Sequence, residues 1–423
     1  MRTDVPNSEY TSPRYWVGID WGRAKHAVAI VDEQRNVIRQ FTVPADLNGL
    51  KQLGEALAGL GSVGGIALES TRDMLVSYLT GQGFTVYPVN PKLSKNWRAG
   101  LSVSEAKSDA RDGRMLAQEL ARRHESLRAW APQTPEAAEL LGLCERRRSL
   151  VQERTALVQR LQDMLRQYYP AALEFFGDWT SPTAWQFLHA FSTPEALARA
   201  RKTTLLRFLK AHRIGLKPVW VERIDRRSEA TAWPTPPDAL GTRMMALACV
   251  KQLLALEPAI RQLERLIEQR LPDLPGAQVL RSLPGAGQHL TAELCAIVNS
   301  VAVRQGGYEA ARRITGVAPV ERNSGKHHQI LMRLRCNKQW RNTLHLFAAC
   351  STRACPWARA YYEQCRERGD EYGTALRKLG DKWWKIIIAM VQADEPYDDK
   401  RYVDALEKHK TPTYQRLTRP SCG

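Results

Sequence analysis

Residues 14–43 contain three consecutive segments with the pattern of β-strands. The segments RYWVGIDW, AKHAVAIV and NVIRQFTV are short, rich in β-branched or aromatic residues, and separated by polar turns. A helical stretch, DLNGLKQLGEALAGL, follows with Asp46 as its cap. Two strand–helix pairs come next, GGIALES with TRDMLVSYLTGQG, and FTVYPVN with SVSEAKSDARDGRMLAQELARRH, whose helix is expected to start at Ser102 or Ser104. This order predicts an α/β layer fold.

Two long helices are predicted after this region, over residues 135–170 and about 239–271. In the first helix, apolar residues recur every seven positions, at Leu143, Leu150, Leu157 and Met164. A repeat of this kind is typical of a helix that packs along a partner helix, so we expect the two helices to form antiparallel, coiled-coil-like arms. The segment 171–238 between them is rich in Trp and basic residues.

A third, mostly helical region begins near residue 274. The segment VLRSLPGAGQHLTAELCAIV predicts a helix, a tight PGAG turn and a second helix, an arrangement that resembles a helix–hairpin–helix motif. A loop containing GVAPVERNSGKHH follows, and then further helices. The last residues are polar and are expected to be poorly ordered. The predicted domains are 14–128, 129–273 with the insertion 171–238, 274–392 and a tail over 393–423.

The charge of the chain indicates its class of partner. It has 62 Lys and Arg residues against 44 Asp and Glu, a net charge of +18. A surplus of this size predicts a polyanionic partner, first of all nucleic acid. An anionic membrane surface is the competing partner, but no apolar run of bilayer length, lipidation signal or signal-peptide core supports it. The scattered cysteines, without a CxxC pair, predict reduced thiols in a cytosolic protein.

Four carboxylates in the first region predict a metal site. Asp20 and Glu69 end two predicted strands, while Asp109 and Asp112 lie three residues apart on a predicted helix and are expected to face inward. Converging carboxylates need cations, and hard oxygen ligands suit Mg²⁺ or Mn²⁺. A divalent ion held in this way polarises a phosphodiester. Each acid alone is more often a helix cap or a solvated residue, but the four together favour a metal site.

Several motifs resemble a known family. The segments YWVGIDWGRAKHAVAIV, ALES, VYPVNP and AKSDARDGRMLA resemble the RuvC-like, RNase H-like domain of the DEDD transposases of bacterial insertion sequences, the one-hundred-and-ten family. The segments SLPGAG, AELCAIV, RITGVAP, NSGK, CNKQWRNTLHLFAAC and PWARAYYEQCRERG resemble the family's C-terminal transposase domain. The resemblance covers roughly residues 14–125 and 275–392, and it does not extend to 171–238.

The resemblance implies a chemistry and a set of partners. Asp20, Glu69, Asp109 and Asp112 would be the four DEDD carboxylates, which hold Mg²⁺ or Mn²⁺, and Ser324 would be a nucleophile that forms a phosphoserine link to DNA. Many members have two serines and two glycines where this chain has Asn323-Ser324-Gly325-Lys326. The implied protein is a DNA recombinase guided by a bridge RNA. It would act on donor and target DNA in the bacterial cytoplasm, at the nucleoid. The predicted coiled-coil-like arms imply an oligomer, and recombination of two duplexes suggests a dimer of dimers.

Basic and aromatic residues in four places are expected to contact nucleic acid. Residues 199–227 hold ten Lys and Arg against two acids, and residues 322–341 hold no acid. A solvated basic surface over core aromatics is an equal alternative for the first stretch. The expected contacts are Arg322, Lys326, His327, Arg333, Arg335 and Lys338 near the serine, Gly285 and Gly287 in the PGAG turn, Arg146 and Arg147 on the long helix, and Arg207, Lys210, Arg213 and Trp220 in the insertion.

Two other functions fit parts of the sequence. A RuvC-like, metal-dependent endonuclease would use water as the nucleophile and would not need Ser324. A non-catalytic nucleic-acid-binding protein would need neither the serine nor the carboxylates. The basic turn around Ser324 is an ordinary one by itself, and only the upstream carboxylates favour recombination.

Overall fold

The structure, a computed structural model, describes residues 14–69, 74–101, 108–131, 133–234, 236–324 and 327–418. For residues 100–101, 322–324 and 327–329 it describes the backbone alone. The chain forms two compact units, Met1–Pro132 and Gln133–Gly423. The predicted helical arms, C-terminal domain and tail therefore belong to one unit.

The first unit is built on a five-stranded sheet with the order β3-β2-β1-β4-β5. Its strands are β1 (Tyr15–Asp20), β2 (Lys25–Val31), β3 (Val37–Pro44), β4 (Val63–Leu68) and β5 (Val86–Pro88). The first three strands form an antiparallel meander, whereas β4 pairs parallel with β1 and β5 pairs parallel with β4. The predicted α/β character of this region is confirmed.

Helices cover both faces of this sheet. They are α1 (Leu47–Ala58), α2 (Met74–Gly81), α3 (Pro91–Leu101) and α4 (Asp109–Arg123). Because side chains alternate along a strand, Val17 and Ile19 pack with α1 and α2, whereas Trp16 packs with α3 and α4 on the other face. The predicted cap of α1 is confirmed, since the Asp46 carboxylate accepts a hydrogen bond from the Gly49 N–H at 2.8 Å.

Two helices of the first unit, α3 and α4, differ from the prediction. Helix α3 was not predicted, because the segment PKLSKNWRAGL has few apolar residues. Its start is nevertheless well specified, since the Asn90 side chain accepts a hydrogen bond from the Lys92 N–H at 2.8 Å and Pro91 occupies a first-turn position that needs no N–H. Helix α4 begins at Asp109, with Ser108 as its cap residue, and Ser102 and Ser104 lie outside the described residues.

Helix α4 lies unusually close to β1 because two glycines face each other. A Cβ atom added to Gly18 would lie 2.1 Å from the Gly113 carbonyl oxygen and 2.4 Å from the Ala117 nitrogen. A Cβ atom added to Gly113 would lie 3.0 Å from the Ala27 carbonyl oxygen. The helix backbone therefore rests directly on the backbone of β1 and β2, which leaves no room for a side chain between them.

The second unit contains the two predicted long helices, α5 (Pro135–Tyr168) and α11 (Ala239–Arg270). Ion pairs join them at Glu139 with Arg270, Arg147 with Glu264, and Arg154 with Glu257, at 3.0, 2.7 and 3.0 Å. The residue numbers rise along α5 as they fall along α11, so the helices are antiparallel. The predicted pairing is present.

A continuous coiled-coil seam is not observed between these helices. Leu143 and Leu150 are only half-buried, and the buried residues of α5 lie in two groups, up to Cys144 and from Leu157 onward. The groups belong to two separate hydrophobic cores, one at each end of the helix pair. The heptad pattern predicted that α5 packs along a partner helix. It did not predict the division into two cores, because each end of the α5–α11 pair is packed by helices from elsewhere in the chain.

The insertion 171–238 forms a helical subdomain around the end of the α5–α11 pair that contains Leu157 and Leu253. Its helices are α6 (Pro170–Phe175), α7 (Pro182–Ala190), α8 (Pro194–Arg199), α9 (Lys202–Ala211) and α10 (Pro218–Asp225). They pack around Trp179, Trp185 and Phe187, which are nearly inaccessible to solvent. The Trp185 indole N–H donates to the Trp179 carbonyl oxygen at 2.7 Å, so most of the aromatic content of this segment is core.

The other core contains the remaining helices. They are α12 (Ala277–Arg281), α13 (Gln288–Val298), α14 (Val301–Ile314), α15 (Lys338–Ala354), α16 (Pro356–Glu367), α17 (Tyr372–Ala393), α18 (Asp399–Lys408) and α19 (Pro412–Leu417). Two tryptophans of α17 lie at its centre and are hydrogen-bonded, Trp383 to Ser351 Oγ at 2.8 Å and Trp384 to Thr315 Oγ1 at 2.9 Å.

Two segments of this core differ from the prediction. The loop around Ser324 is a hairpin of β6 (Val320–Ser324) and β7 (His327–Leu331), since a two-residue connection containing glycine favours such a turn. The tail was expected to be poorly ordered, but α18 and α19 pack on the core. The Trp357 indole N–H donates to Tyr397 Oη at 2.6 Å, so a few aromatic residues anchor an otherwise polar segment.

One helix in the described part of the chain, Ala239–Asp273, is long and apolar enough to cross a bilayer by length and composition. It is α11 with its C-terminal extension, and buried helices of proteins outside membranes pass the same test. The ion pairs to α5 oppose a lipid environment, because charged side chains are expensive in a bilayer.

Replacing Gly18 with Ala tests the close contact between α4 and β1. The added methyl group meets backbone atoms that cannot move independently, so we expect the free energy of unfolding of the first unit to fall by about 3 kcal/mol. Chemical denaturation followed by circular dichroism measures this change. Gly81→Ala is the control, because a Cβ there meets nothing within 4 Å. Equal stability of both variants would contradict the contact.

Candidate active site and nucleic-acid interface

Two of the predicted acids lie at the same edge of the sheet. Asp20 is the last residue of β1, and Glu69 directly follows β4. The two strands are parallel and Ile19 is paired with Leu68, so Asp20 and Glu69 are the next residues on neighbouring strands. Both side chains are half-buried. The carboxyl ends of these strands therefore bring two acids from distant parts of the sequence together.

Helix α4 carries the other two acids to this edge. Gln118 donates to the carbonyl oxygen of Arg35, in the turn between β2 and β3, at 3.0 Å. Since β1 begins beside that turn and ends away from it, α4 must begin at the edge where β1 ends. Gly113 lies against Ala27, the residue paired with Asp20, and Asp112 precedes Gly113.

The environments of the two helix acids differ. Asp109 is exposed, so the prediction that both face inward is wrong for this residue, which stands in the first turn of the helix. The Asp112 side chain is only 4% exposed, and its Oδ1 accepts a hydrogen bond from Arg98 Nε at 2.8 Å. Its other oxygen, Oδ2, is buried and has no hydrogen-bond partner among the described residues.

A buried carboxylate oxygen without a partner is unfavourable, and a divalent cation would relieve it. The donor set suits Mg²⁺ or Mn²⁺, since carboxylate oxygens are their preferred protein ligands. Within the described ranges, however, no three His, Cys, Asp or Glu side chains are grouped closely enough to hold a metal ion as they stand. The structure thus brings the acids to one edge without a closed ligand sphere.

The predicted nucleophile lies at the end of a hairpin strand. Ser324 is the last residue of β6, and its backbone is paired with that of His327. The Gly325–Lys326 connection and the side chains of Arg322, Ser324 and His327 lie outside what the structure describes. The backbone nevertheless puts Ser324 in the last residue pair between the two strands, opposite His327.

The chain following the hairpin is fixed at its base. Arg341 donates to the Arg333 carbonyl oxygen at 2.7 Å, and Arg333 donates to the Ala318 carbonyl oxygen at 3.3 Å. Arg333 therefore has a structural contact in addition to its predicted one. Arg335 and Lys338 are exposed, and no ion pair to either is found in the described part of the chain. These two cations are therefore open to solvent in the segment after the hairpin.

The PGAG turn joins α12 to α13 as predicted. Gly285 has φ +77°, and a Cβ there would lie 2.8 Å from the Cys350 carbonyl oxygen on α15. Gly285 is therefore required by packing. At Gly287 an added Cβ would meet nothing within 4 Å, so this side of the turn is open, next to the start of α13.

The other predicted contacts are of two kinds. Arg146, Arg207, Lys210 and Arg213 are exposed. Arg147 is ion-paired with Glu264 at 2.7 Å, and Trp220 packs 5.1 Å from the Phe176 ring centroid with Arg223 over its face at 5.0 Å. The face of Trp220 is thus partly covered by protein, which leaves less of it for stacking on a base.

Sequence reasoning missed two interactions near the sites. Arg98 holds Asp112, and the signal for its helix is the spacing of Leu93 and Trp97, four residues apart. Arg148 contacts Glu293, and its Nη2 donates to Thr343 Oγ1 at 2.6 Å. The second interaction ties α5 to α13 and α15, and no local pattern predicts it because the three residues are far apart in sequence.

Comparisons with known proteins identify the family. Residues 17–170 match a DEDD transposase model, and residues 277–363 match a model described as the transposase of the IS116/IS110/IS902 family. The chain belongs to the IS110 family of insertion-sequence transposases. The first match covers most of the sheet unit and α5, and the second includes the PGAG turn, the hairpin, α15 and part of α16.

Relatives align over nearly the whole chain. A putative mini-circle transposase for IS117 from Streptomyces coelicolor is 29% identical, over 91% of this chain and 95% of its own length. A 44.8 kDa protein of insertion element IS116 from Streptomyces clavuligerus is 27% identical, over 90% and 95%. A 42 kDa protein of IS900 from Mycobacterium paratuberculosis is 25% identical, over 90% and 96%. The predicted family is confirmed, and an IS110-family transposase acts on DNA.

Two alanine substitutions test the PGAG turn. Gly285→Ala forces a side chain into a left-handed conformation against α15, and we expect it to lower the free energy of unfolding by about 1–3 kcal/mol. Gly287→Ala is the matched control, because the added methyl group meets open space. Thermal unfolding of both variants measures the difference. A Gly285→Ala variant as stable as Gly287→Ala would show that packing does not require this glycine.

Proposed function

We propose that this IS110-family transposase cuts and rejoins donor and target DNA through a phosphoserine intermediate at Ser324, with Mg²⁺ or Mn²⁺ held by Asp20, Glu69, Asp109 and Asp112. The observation that carries the metal site is the buried, unpartnered Oδ2 of Asp112. It belongs to the edge of the sheet that Asp20 and Glu69 share. The family membership supports the DNA substrate.

The proposed residues have distinct tasks. Asp20 and Glu69 would bind the cation from the strand ends, Asp112 would add its buried oxygen, and the exposed Asp109 would close the ligand set. When bound, the divalent ion polarises the scissile phosphodiester and lowers the pKa of an oxygen beside it. Because no three of the described acids are grouped closely enough to hold the ion as they stand, cation binding would need the carboxylates to draw together.

The serine chemistry conserves the number of phosphoester bonds. The Ser324 hydroxyl oxygen attacks phosphorus, the bond from phosphorus to one DNA oxygen breaks, and that oxygen leaves as a hydroxyl while the serine loses its proton. A hydroxyl of another DNA strand then attacks the phosphoserine, which releases the serine and reforms a DNA phosphodiester. No nucleotide cofactor is needed for rejoining.

The basic residues support binding of long polyanions. Arg335 and Lys338 would hold DNA phosphates near the hairpin, together with Arg322, Lys326, His327 and Arg333. The exposed cations of the insertion would bind a bridge RNA, and Gly285, Gly287 and Arg146 would contact backbone phosphates. A dimer of dimers at the bacterial nucleoid would bring two duplexes together.

The serine is tested by trapping a covalent complex. With donor and target DNA, bridge RNA and Mg²⁺, we expect the wild-type protein to form an adduct that survives denaturing electrophoresis, and Ser324→Ala to form none, because the nucleophile is absent. Ser149→Ala is the control, since this serine is exposed on α5. A Ser324→Ala protein that nicks DNA at the wild-type rate would instead establish a nuclease that uses water.

Replacing Asp20 with Asn tests the metal site separately. Loss of one charged ligand removes several kcal/mol of transition-state stabilisation, so we expect DNA cleavage to slow by at least about 10²-fold. Mn²⁺ affinity, measured by calorimetry without DNA, should fall in parallel. Glu125→Gln is the control, because this exposed acid of the same unit is outside the proposed site. Unchanged cleavage and Mn²⁺ binding in Asp20→Asn would refute the assignment.

A further inference from the structure

The ion pair between Arg98 and Asp112 is unequal in its exposure to solvent. Arg98 Nε lies 2.8 Å from Asp112 Oδ1, the Asp112 side chain is 4% exposed, and the Arg98 side chain is 34% exposed. The carboxylate is thus enclosed between α4 and its neighbours, whereas the guanidinium reaches the surface. If one partner moves, it is the arginine.

Asp112 depends on this arginine for its charge balance. A carboxylate removed from water is strongly unfavourable unless a cation or several donors compensate it. Among the described residues, Arg98 is the only cation within ion-pair distance of Asp112, and Oδ2 has no partner. The compensation is therefore partial, since one oxygen is satisfied and the other is not.

We propose that Arg98 is a positioning residue that serves as the resident counter-ion of Asp112 and yields the carboxylate to the divalent cation. This inference rests on the proposed metal site. Both the guanidinium and a divalent cation are drawn to the same carboxylate, so they compete for it. Arg98 keeps the unit stable without metal and lowers its affinity for metal.

A fixed structural pair would behave differently. In that case Arg98 only holds α3 against α4, and its removal lowers stability without tightening cation binding. The two roles differ in their effect on metal affinity, because competition predicts tighter binding when the competitor is removed. Affinity for the metal alone therefore separates them, without any measurement of DNA cleavage.

The test is a titration of the full-length chain with Mn²⁺, without nucleic acid, by calorimetry. We expect Arg98→Gln to bind Mn²⁺ about tenfold more tightly than wild type, which corresponds to the loss of one competing charge-assisted contact. Its melting temperature without Mn²⁺ should fall, and saturating Mn²⁺ should restore most of the loss. Affinity equal to or weaker than that of wild type overturns the inference.

Matched variants exclude other causes. Arg114→Gln removes the same charge from an exposed position of α4, and we expect its Mn²⁺ affinity to stay within about twofold of wild type. An equal gain in Arg114→Gln and Arg98→Gln would mean a general charge effect and overturn the inference.

If Arg98→Gln does not fold, Arg98→Lys replaces it, with two- to threefold tighter binding expected, because the Nε contact is lost but the charge remains. Unchanged or weaker binding by that variant overturns the inference too.

A failure of the metal site itself has a separate signature. If neither wild type nor Arg98→Gln binds Mn²⁺ differently from Asp20→Asn, the proposed metal site is wrong and the inference falls with it. If wild type binds Mn²⁺, Asp20→Asn does not, and Arg98→Gln equals wild type, the metal site stands and only the role of Arg98 is refuted.

Discussion

The contact between two backbones, at Gly18 and Gly113, determines the geometry of the first unit. Gly18 is two residues before Asp20, and Gly113 directly follows Asp112. Because the helix rests on the strand without intervening side chains, the register of this contact fixes how far α4 extends toward the carboxyl edge of the sheet. A one-turn shift of α4 would carry Asp112 about 5.4 Å along its axis and separate it from the strand-end acids. Packing of Gly18 against Gly113 thus positions the carboxylates of Asp20 and Asp112.

The second unit depends on a different kind of contact. Arg148 joins α5 to Glu293 on α13 and Thr343 on α15. Helix α15 follows the hairpin, and α13 follows the PGAG turn. The long helix is therefore bound directly to the two helices that follow the PGAG turn and the hairpin with the predicted nucleophile. Partly buried pairs of this kind are costly to break because the remaining charge has no partner.

The parts of the fold that sequence patterns predict are those with strong local periodicity. Alternation identified the strands, the acids at the ends of β1 and β4 followed from it, and the seven-residue repeat identified α5 and its partner. Helix α3 was missed because its apolar residues are few, and the order of the tail was missed because Tyr397 and Tyr402 pack on the core despite the polar composition of the tail. The burial of Asp112 against the exposure of Asp109 depends on packing against β1 and α3, which helical spacing alone does not contain. The charge partner of Asp112 was missed for the same reason.

The antiparallel course of α5 and α11 has a consequence for the segment that connects them. The polypeptide leaves the C-terminal core along α5 and returns to it along α11, so the segment from Leu157 to Leu253 starts and finishes at the same end of the helix pair. The two cores are separated along α5 by the residues between Cys144 and Leu157, about 20 Å at the rise of an α-helix. The matched family regions also stop at residue 170 and resume at residue 277. The insertion 171–238 therefore lies outside both matched regions and starts and finishes at one end of the helix pair, so a change in its length need not alter the pairing of α5 with α11.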